Sequence, residues 1–309
     1  MLLDEIKNNP STPLQKIEDP ITNEFGVNFF IKRLDLVHPE ISGNKWFKLK
    51  YNLLEARAKG FETLLTFGGA YSNHIYATAA AGNIFGFKTI GIIRGEEHLP
   101  LNSTLDFASK NGMRIYYLDR SNYRAKNSKE ILIQLQNKFG QFYLIPEGGS
   151  NKLAVIGCKE IVHDIEHVFD FICTASGTAG TLAGLVSAIS QNQKALGFSV
   201  LKGGNFLNQN VSTLLNESKV DINGKWQIFT DFHFGGYAKI TTRLIEFIRD
   251  FETKSGIALE PIYSGKMMYG IYDLIRKNYF PQGSNIIALH NGGMQGIKGM
   301  EEKIKLLEN

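Results

Sequence analysis

Three segments of the sequence place small residues next to polar or charged side chains, as sites for chemistry often do. The segment 42–45 (Ser-Gly-Asn-Lys) brings a lysine to the start of a helical pattern. The loops 66–74 and 173–184 each follow an apolar segment and precede a helical one. In an open α/β sheet, ligands bind at the carboxyl ends of the strands, where such loops lie. These three segments are therefore the candidate functional site.

The loop 173–184 (Cys-Thr-Ala-Ser-Gly-Thr-Ala-Gly-Thr-Leu-Ala-Gly) has the composition of an anion-binding turn. Small residues let the backbone approach an anion, and successive N–H groups favour a phosphate. The alternative is a tight strand-to-helix turn without a ligand, because glycine is common in such turns. The loop lacks the dinucleotide pattern G-x-G-x-x-G, and neither Gly224-Lys225 nor Gly265-Lys266 is followed by Ser or Thr. These absences favour a small phosphorylated ligand over a nucleotide.

The other two segments suggest a carboxylate site and a reactive amine. Ser72, Asn73 and His74 lie near a predicted helix start, where N–H groups lack partners and a carboxylate fits. For Ser72 by itself, a simple N-cap is the better interpretation. Lys45 lies at the positive end of its predicted helix, and shielding from water there would lower its pKa and favour a Schiff base. The alternative for Lys45, favoured by position alone, is a solvated lysine.

Alternating strand and helix patterns position these segments. Strands are predicted at residues 29–36, 63–67, 88–94, 113–118, 142–145, 169–175, 196–200, 227–232 and 285–290. Helices are predicted at residues 44–59, 72–83, 103–111 and 128–139. Apolar strands alternating with helices predict an α/β fold with mostly parallel sheets that helices cover on both faces.

Composition excludes several classes of protein. The chain has 309 residues, of which 43% are hydrophobic and 21% charged, so one large or two smaller globular domains are expected. The net charge of +4 is small, and its basic residues form no stripe with aromatics, which argues against nucleic-acid binding. Two cysteines, Cys158 and Cys173, cannot form a disulfide framework. With no apolar run of membrane-spanning length and no signal-peptide pattern at the N-terminus, we expect a cytoplasmic protein without membrane partners.

Five motifs occur in the same order across about residues 29–297. They are G-N-K, G-G-x-x-S-N, I-P-x-G-G-S, a G-T-x-G-T-type turn, and P-x-Y-x-G-K followed by H-x-G-G. Together they resemble the 1-aminocyclopropane-1-carboxylate deaminase and D-cysteine desulfhydrase family, which are pyridoxal 5′-phosphate enzymes with a tryptophan synthase β-like fold. The resemblance implies a homodimer whose subunit has a large cofactor-binding domain (residues 1–46 and 151–309) and a small domain (residues 47–150), with the cofactor between them.

The resemblance also implies roles for single residues. Lys45 would carry the cofactor through a Schiff base, and Lys48 would lie near the cofactor phosphate. Ser72 and Asn73 would contact the substrate carboxylate and the cofactor ring. His74 would contact the substrate beside them, at a position where some relatives have Gln.

The remaining implied site residues come from the second half of the chain. Tyr237 and Tyr263 would be active-site tyrosines, Ser264 would face the pyridine nitrogen, and Asn291 would face the substrate. The phosphate cup would be formed by Ser176, Gly177, Thr178, Ala179, Gly180 and Thr181.

Two of these positions favour the desulfhydrase branch. The cyclopropane deaminases carry Glu where this chain has Ser264, and an apolar residue where it has Asn291. A hydroxyl leaves the pyridine nitrogen largely neutral, which suits β-elimination. The resemblance therefore implies conversion of D-cysteine to pyruvate, ammonia and sulfide, with Lys45 as general base and Tyr263 or Tyr237 assisting the leaving group.

Departures from the family pattern leave the substrate open. Phe47 stands where the family usually has arginine, which would remove a charge near the cofactor entrance, and the chain is short between Lys202 and Trp226. The alternative activity is 1-aminocyclopropane-1-carboxylate deamination. A catalytically silent protein that binds pyridoxal phosphate and amino acids is the alternative of another class.

One motif suggests a different enzyme class. The segment 163–167 (His-Asp-Ile-Glu-His) matches the zinc peptidase pattern H-x-x-E-H. Histidines four residues apart share one face of a helix and can bind a metal. The segment is polar and ends its predicted helix, so a solvated helix end is the favoured interpretation, and we expect no metal site.

Overall fold

The structure is a computed structural model that describes residues 6–308. In this part of the chain, ten strands form two sheets. Their bounds are β1 Leu14–Ile17, β2 Asn28–Lys32, β3 Thr63–Gly68, β4 Lys88–Arg94, β5 Met113–Leu118, β6 Tyr143–Ile145, β7 Phe171–Ser176, β8 Lys194–Ser199, β9 Lys225–Phe229 and β10 Asn285–Leu289.

Thirteen α-helices accompany the strands within the described residues. They are α1 Pro20–Glu24, α2 Asn44–Ala58, α3 Asn73–Phe85, α4 Ser103–Lys110, α5 Arg120–Arg124, α6 Lys129–Phe139, α7 Lys152–His163, α8 Gly180–Val186, α9 Phe206–Ser218, α10 Thr242–Ser255, α11 Ser264–Arg276, α12 Gln295–Lys298 and α13 Glu301–Glu308. Short 3-10 turns occupy Leu34–Leu36 and Glu147–Gly149.

The larger sheet has the strand order β1-β2-β10-β7-β8-β9 and is parallel except for β1, which pairs antiparallel with β2. Successive side chains point to opposite faces, so Phe29 and Ile31 pack into one apolar layer and Phe30 into another. The layer around Phe30 includes apolar residues of α2, α7 and α8, whereas the opposite layer includes those of α10 and α11. Helices thus cover both faces, which explains the continuous apolar character of these strands.

The smaller sheet has the order β5-β4-β3-β6, and all its neighbours are parallel. Parallel strands end at the same edge of a sheet, so the loops after β3, β4 and β6 lie together. One of these loops is the predicted segment 66–74, which joins β3 to α3. The predicted fold class, α/β with mostly parallel sheets flanked by helices, is confirmed.

Several predicted bounds are wrong by a few residues. The strand predicted at residues 29–36 ends at Lys32, because the chain turns into the 3-10 segment Leu34–Leu36. The strand predicted at residues 227–232 is Lys225–Phe229, and the one predicted at residues 169–175 is Phe171–Ser176. Strand β1 and the helices after residue 200 were not predicted. A four-residue strand leaves a weak periodic signal, whereas the amphipathic pattern of α10 was present in the sequence.

The domain division stays a prediction. The smaller sheet is built from residues 63–145, and the larger from strands before and after that range. The proposed boundary at 46/47 lies inside α2, and the boundary at 150/151 lies just before α7. Residues 1–5 lie outside the described part. They begin both the proposed large domain and the N-terminal segment that lacks a signal-peptide pattern.

No helix among residues 6–308 has the length and apolar character needed to cross a membrane.

Candidate active site

A cavity of about 640 Å³ is lined by loops from the carboxyl ends of strands in both sheets. The loops follow β3 and β6 in the smaller sheet and β7, β8, β9 and β10 in the larger one, and Arg94 at the end of β4 also lines the cavity. Most of the predicted site residues line it, namely Lys45, Lys48, Ser72, Asn73, His74, Gly177, Thr178, Ala179, Thr181, Tyr237, Tyr263 and Asn291. The structure therefore brings the three chemistry-bearing segments together.

Three predicted site residues do not line the cavity. Ser176 ends β7, and its hydroxyl lies next to Gly197 of the neighbouring strand β8. Gly180 lies at the start of α8, where its N–H donates to Ser150 Oγ at 3.2 Å. Ser264 is fully buried at the start of α11. The buried hydroxyl of Ser176 has no hydrogen-bond partner among the described residues, whereas that of Ser264 lies beside the Glu260 carboxylate. The direct contacts assigned to these residues stay predictions.

The position of Lys45 is fixed by the start of α2. Gly43 precedes this helix with φ of +69°, and a Cβ there would lie 1.8 Å from the carbonyl oxygen of Asn291. Only glycine allows this close approach, which brings the start of α2 against the loop after β10. Lys45 Nζ donates to Asn44 Oδ1 at 2.8 Å, and Asn44 Nδ2 donates to Thr181 Oγ1 at 2.7 Å. The amine of Lys45 is thereby tied, through Asn44, to the loop after β7.

The environment of Lys45 favours its neutral form. Burial of the amine, followed by the positive charge of Lys48, lowers the pKa of Lys45 to about 7. A large fraction of the amine is therefore unprotonated at neutral pH. An unprotonated amine can attack an aldehyde or accept a proton from carbon.

Lys48 is a buried cation that contacts three uncharged oxygens. It is only 2% exposed, and its Nζ donates to Gly148 O at 2.9 Å, Thr178 Oγ1 at 3.1 Å and Ser150 Oγ at 3.3 Å. Burial lowers the pKa of Lys48 to about 8. A buried cation is costly without a compensating anion, so this position suits an anionic ligand group.

The loop after β3 presents Ser72, Asn73 and His74. Ser72 is the N-cap of α3, and its Oγ accepts the N–H groups of His74 and Ile75 at 3.2 and 3.3 Å. Asn73 Oδ1 accepts from Gln295 Nε2 at 2.9 Å. The capping role of Ser72 leaves its hydroxyl proton available to an anionic ligand, because only the oxygen is engaged.

His74 is buried and neutral. Thr66 donates its hydroxyl to Ile145 O at 2.8 Å, so the contact of 2.8 Å between Thr66 Oγ1 and His74 Nε2 assigns the proton to Nε2. The pKa of His74 is held well below its usual value by burial, and then by the charges of Lys45 and Lys48. Its Nδ1 is a buried acceptor without a partner in residues 6–308.

Two tyrosines contribute proton donors to the cavity. Tyr237 donates its hydroxyl to Tyr71 O at 3.1 Å, and its ring meets that of Tyr263 edge-on with centroids 6.0 Å apart. Burial raises the pKa of Tyr237 to about 12 and that of Tyr263 well above its usual value. Both hydroxyls therefore stay protonated at neutral pH, and each can give its proton to a substrate atom that replaces its present hydrogen-bond acceptor.

These residues fit pyridoxal 5′-phosphate. An aldehyde cofactor needs an unprotonated amine, which Lys45 provides, and its phosphate needs cationic and hydroxyl donors, which Lys48, Thr178 and Ser150 provide. The buried hydroxyl of Ser176 has unused hydrogen-bonding capacity next to this region.

Comparisons with known proteins agree with this fit. The family model described as "Pyridoxal-phosphate dependent enzyme" matches residues 4–292. The chain belongs to this family. It is an enzyme whose cofactor is pyridoxal phosphate. Its relatives are named as 1-aminocyclopropane-1-carboxylate deaminases and D-cysteine desulfhydrases.

Two relatives and one solved structure illustrate the similarity. A Pyrococcus horikoshii protein provisionally named 1-aminocyclopropane-1-carboxylate deaminase is 34% identical, with 95% of this chain and 92% of the relative covered. The Arabidopsis thaliana mitochondrial bifunctional D-cysteine desulfhydrase/1-aminocyclopropane-1-carboxylate deaminase is 30% identical, with 88% and 74% covered. A crystal structure described as an ACC deaminase homologue superposes with a TM-score of 0.84 at 30% identity, covering 99% of this chain and 98% of that one. The predicted resemblance is confirmed, and the family contains both activities.

Some site features were not predicted individually. Asn44 and Ser150 lie inside the motifs G-N-K and I-P-x-G-G-S, so a signal for them was present. Arg94 and Lys126 also line the cavity, but nothing in their local sequence marks them. The expected effect of Phe47 on the cofactor entrance is wrong, because Phe47 is 1% exposed in the apolar layer between α2 and α7 and does not line the cavity.

The zinc peptidase pattern does not form a helical face. His163 is the last residue of α7, and His167 lies beyond the helix and is exposed. Among the described residues, no group of three or more His, Cys, Asp or Glu side chains is arranged to hold a metal ion.

Proposed function

We propose that this enzyme catalyses deaminating β-elimination on a small amino acid, with D-cysteine as the leading substrate. The overall reaction converts D-cysteine and water to pyruvate, ammonia and hydrogen sulfide. The main observation in support is that one cavity contains an amine with a pKa near 7, Lys45, and two protonated tyrosines, Tyr237 and Tyr263. An elimination needs this pair of functions, a base at Cα and an acid near the leaving group.

The bound cofactor supplies an electron sink that stabilises negative charge at the substrate Cα. The residues around it bind, orient and move protons. Ser72 and Asn73 bind the substrate carboxylate at the start of α3, where the helix dipole favours an anion and the Ser72 hydroxyl proton is available. Lys48 and Thr178 hold the phosphate. These roles rest on the family resemblance and on the positions of the side chains.

The proton steps follow from the ionisation states of the side chains. The neutral amine of Lys45 accepts the proton from the substrate Cα. Tyr263 or Tyr237 donates its hydroxyl proton to the departing sulfur, which leaves as hydrogen sulfide, and the proton held by Lys45 restores the tyrosine hydroxyl. The product enamine leaves the site, and its hydrolysis releases ammonia and pyruvate.

The choice of branch rests on Ser264 and Asn291. Ser264 brings no charge to the position that the resemblance places opposite the pyridine nitrogen. The amide of Asn291 donates to Thr174 Oγ1 at 3.0 Å, which makes this part of the cavity wall polar. The second candidate, opening of the cyclopropane amino acid, is supported by the name of the P. horikoshii relative.

A substrate panel tests the proposal. The purified enzyme is incubated with D-cysteine, L-cysteine, D-serine and 1-aminocyclopropane-1-carboxylate, and keto acid, ammonia and sulfide are measured. We expect equal amounts of pyruvate and sulfide from D-cysteine. Ring opening as the only turnover would contradict the choice of branch.

Matched lysine variants on α2 show whether the turnover belongs to this site. Lys45→Met removes the amine, and we expect turnover to fall by about 10⁴-fold or more. Lys50→Met removes another buried lysine of α2, which pairs with Glu160 outside the cavity, and should keep most of the turnover. Borohydride reduction followed by peptide mapping should place the pyridoxyl group on the Lys45 peptide.

The homodimer and the cytoplasmic location also stay predictions. Light scattering of the purified protein tests the dimer, and fractionation of source cells tests the location.

A further inference from the structure

A buried lysine outside the cavity supports the loop that carries Tyr237. Lys266 lies on α11 and is only 1% exposed. Its Nζ donates to the carbonyl oxygens of His233 at 2.9 Å and Gly236 at 2.8 Å. Both carbonyls belong to residues 233–239, which we call the tyrosine loop. The lysine therefore fixes the two backbone positions that precede Tyr237.

The backbone of the tyrosine loop adopts φ angles that most of its residues do not favour by themselves. Gly235 and Gly236 have φ of +96° and +121°, and the non-glycine residues Phe234 and Ala238 have φ of +51° and +53°. Residues with a side chain rarely adopt this region. Such a segment persists only where surrounding contacts determine its conformation.

Helix α11 and its N-cap supply those contacts. Tyr263, Lys266 and Tyr269 follow one another at intervals of three residues, so successive members are neighbours on the helix surface. The ring of Tyr269 meets the ring of Phe234 at 4.9 Å, edge-on, and the ring of Tyr263 meets that of Tyr237 at 6.0 Å. Lys266 provides the polar contacts between these two aromatic ones.

Lys266 keeps its donors at neutral pH. Burial lowers the pKa of Lys266 to about 8, while the nearby carboxylate of Glu260 acts in the opposite direction. An ammonium has three donors and no acceptor, so it suits a position between two carbonyl oxygens. A methionine of similar length would leave both carbonyls without this donor.

We propose that Lys266 is a positioning residue for catalysis, which holds the tyrosine loop so that the hydroxyl of Tyr237 stays at the cavity wall. The proposal rests on the proposed function, in which Tyr237 is one of two acids for the leaving group. The hydroxyl is placed by its bond to Tyr71 O on the loop after β3, 166 positions away. Release of the tyrosine loop would separate Tyr237 from this partner and from the substrate.

The test compares Lys266→Met, Tyr237→Phe and the double variant as holoenzymes with the best substrate of the panel. We expect Tyr237→Phe to lower kcat by about 100-fold, as removal of a general acid does. Lys266→Met should lower kcat by roughly 10- to 100-fold, with a smaller change in KM. The double variant should be no slower than Tyr237→Phe, because both changes remove the same function.

Lys32→Met is the matched control. Lys32 is also buried, at 3% exposure, and donates to two backbone carbonyls, Thr12 O at 2.7 Å and Asp164 O at 3.2 Å. It pairs with Asp164 as well, and it does not line the cavity. We expect its loss to lower thermal stability while kcat stays near that of the parent enzyme.

Hydrogen–deuterium exchange gives a readout that does not depend on turnover. Lys266→Met should increase exchange in residues 233–239, where the N–H groups of Gly236 and Lys239 are bonded within the loop, and Lys32→Met should not. Unchanged exchange there, parent-like kcat in Lys266→Met, or additive losses in the double variant would overturn the proposal. If Tyr237→Phe has parent-like kcat, the acid role of Tyr237 fails and this proposal fails with it, whereas the substrate panel still tests the reaction.

Discussion

Asn44 and Thr181 are joined by a buried hydrogen bond of 2.7 Å across 137 positions of the chain. The bond connects the start of α2 to the loop after β7, and so connects the amine-bearing segment to the predicted phosphate cup. Oδ1 of the same Asn44 side chain accepts a hydrogen bond from Lys45 Nζ at 2.8 Å. Asn44 therefore positions the amine of Lys45.

The first prediction concerns Asn44→Asp. The added carboxylate lies next to Lys45 and favours its charged form, so the pKa of Lys45 should rise from about 7 by on the order of one unit. Only the neutral amine attacks the cofactor aldehyde, so the rate of cofactor attachment to the apoprotein should rise with pH around a midpoint near 7 in the parent. In the variant the midpoint should lie at higher pH, as measured by stopped-flow absorbance.

Thr181→Val is the control for this experiment. It removes the hydroxyl that accepts from Asn44 without adding a charge near Lys45. We expect weaker cofactor retention and an unchanged midpoint. A midpoint for the parent above pH 9 would contradict the lowered pKa of Lys45.

The second prediction concerns Ser264→Ala. The buried hydroxyl lies beside the Glu260 carboxylate, which also accepts the backbone N–H groups of residues 262–264, so its removal should lower the stability of the apoprotein only slightly. If it faces the cofactor, turnover should fall by about tenfold, which corresponds to the roughly 1.4 kcal/mol of a lost hydrogen bond.

Ser218→Ala tests whether this effect is local. Ser218 has a buried hydroxyl without a partner among the described residues, but it ends α9 and does not line the cavity. Its removal should change neither the absorbance spectrum of the bound cofactor nor turnover. Equal activity of both variants would remove Ser264 from the site.

The third prediction concerns the two tyrosines and pH. Because burial raises the pKa of Tyr237 to about 12, its hydroxyl is still protonated at pH 10. Tyr263→Phe and Tyr237→Phe should each lower kcat on D-cysteine, and neither should move the alkaline limb of the pH–rate profile. An alkaline limb near pH 9 that disappears in one of these variants would show that the tyrosine titrates there.

The fourth prediction concerns His74→Gln and stability. His74 stays neutral in the folded protein because burial lowers its pKa, whereas in the unfolded chain it takes up a proton below pH 6.5. The unfolded state then binds more protons, so the free energy of unfolding decreases as pH falls below 6.5. Above that pH no stability is lost, and below it the free energy of unfolding falls by about 1.4 kcal/mol per pH unit.

Urea unfolding of the apoprotein at pH 7.5, 6.5, 5.5 and 5.0 measures this effect. The parent should lose stability on acidification more steeply than His74→Gln. His167→Gln changes an exposed histidine outside the site and should follow the parent. Parallel curves for the parent and His74→Gln would mean that His74 accepts a proton in the folded state.

The sequence by itself determined the fold class, the family, the cofactor and most of the cavity wall. These properties depend on local patterns. Apolar strands alternating with helices specify a parallel sheet, and small residues such as Gly43 and Gly177 mark places where the backbone comes close to another group. Since strand-end loops gather at one edge of a parallel sheet, the segments 42–45, 66–74 and 173–184 identified a common site before any contact was known.

Only the tertiary structure decided the ionisation of the site residues and the contacts that hold these residues in place. The pKa of Lys45 depends on burial and on Lys48, and the contact between Lys48 and Thr178 joins residues 130 positions apart. The burial of Phe47 and the bonds of Lys266 to the tyrosine loop likewise depend on which elements pack together. Spacing along the chain specifies elements and turns, but desolvation and long-range contacts arise only when those elements are packed, so no local pattern encodes them.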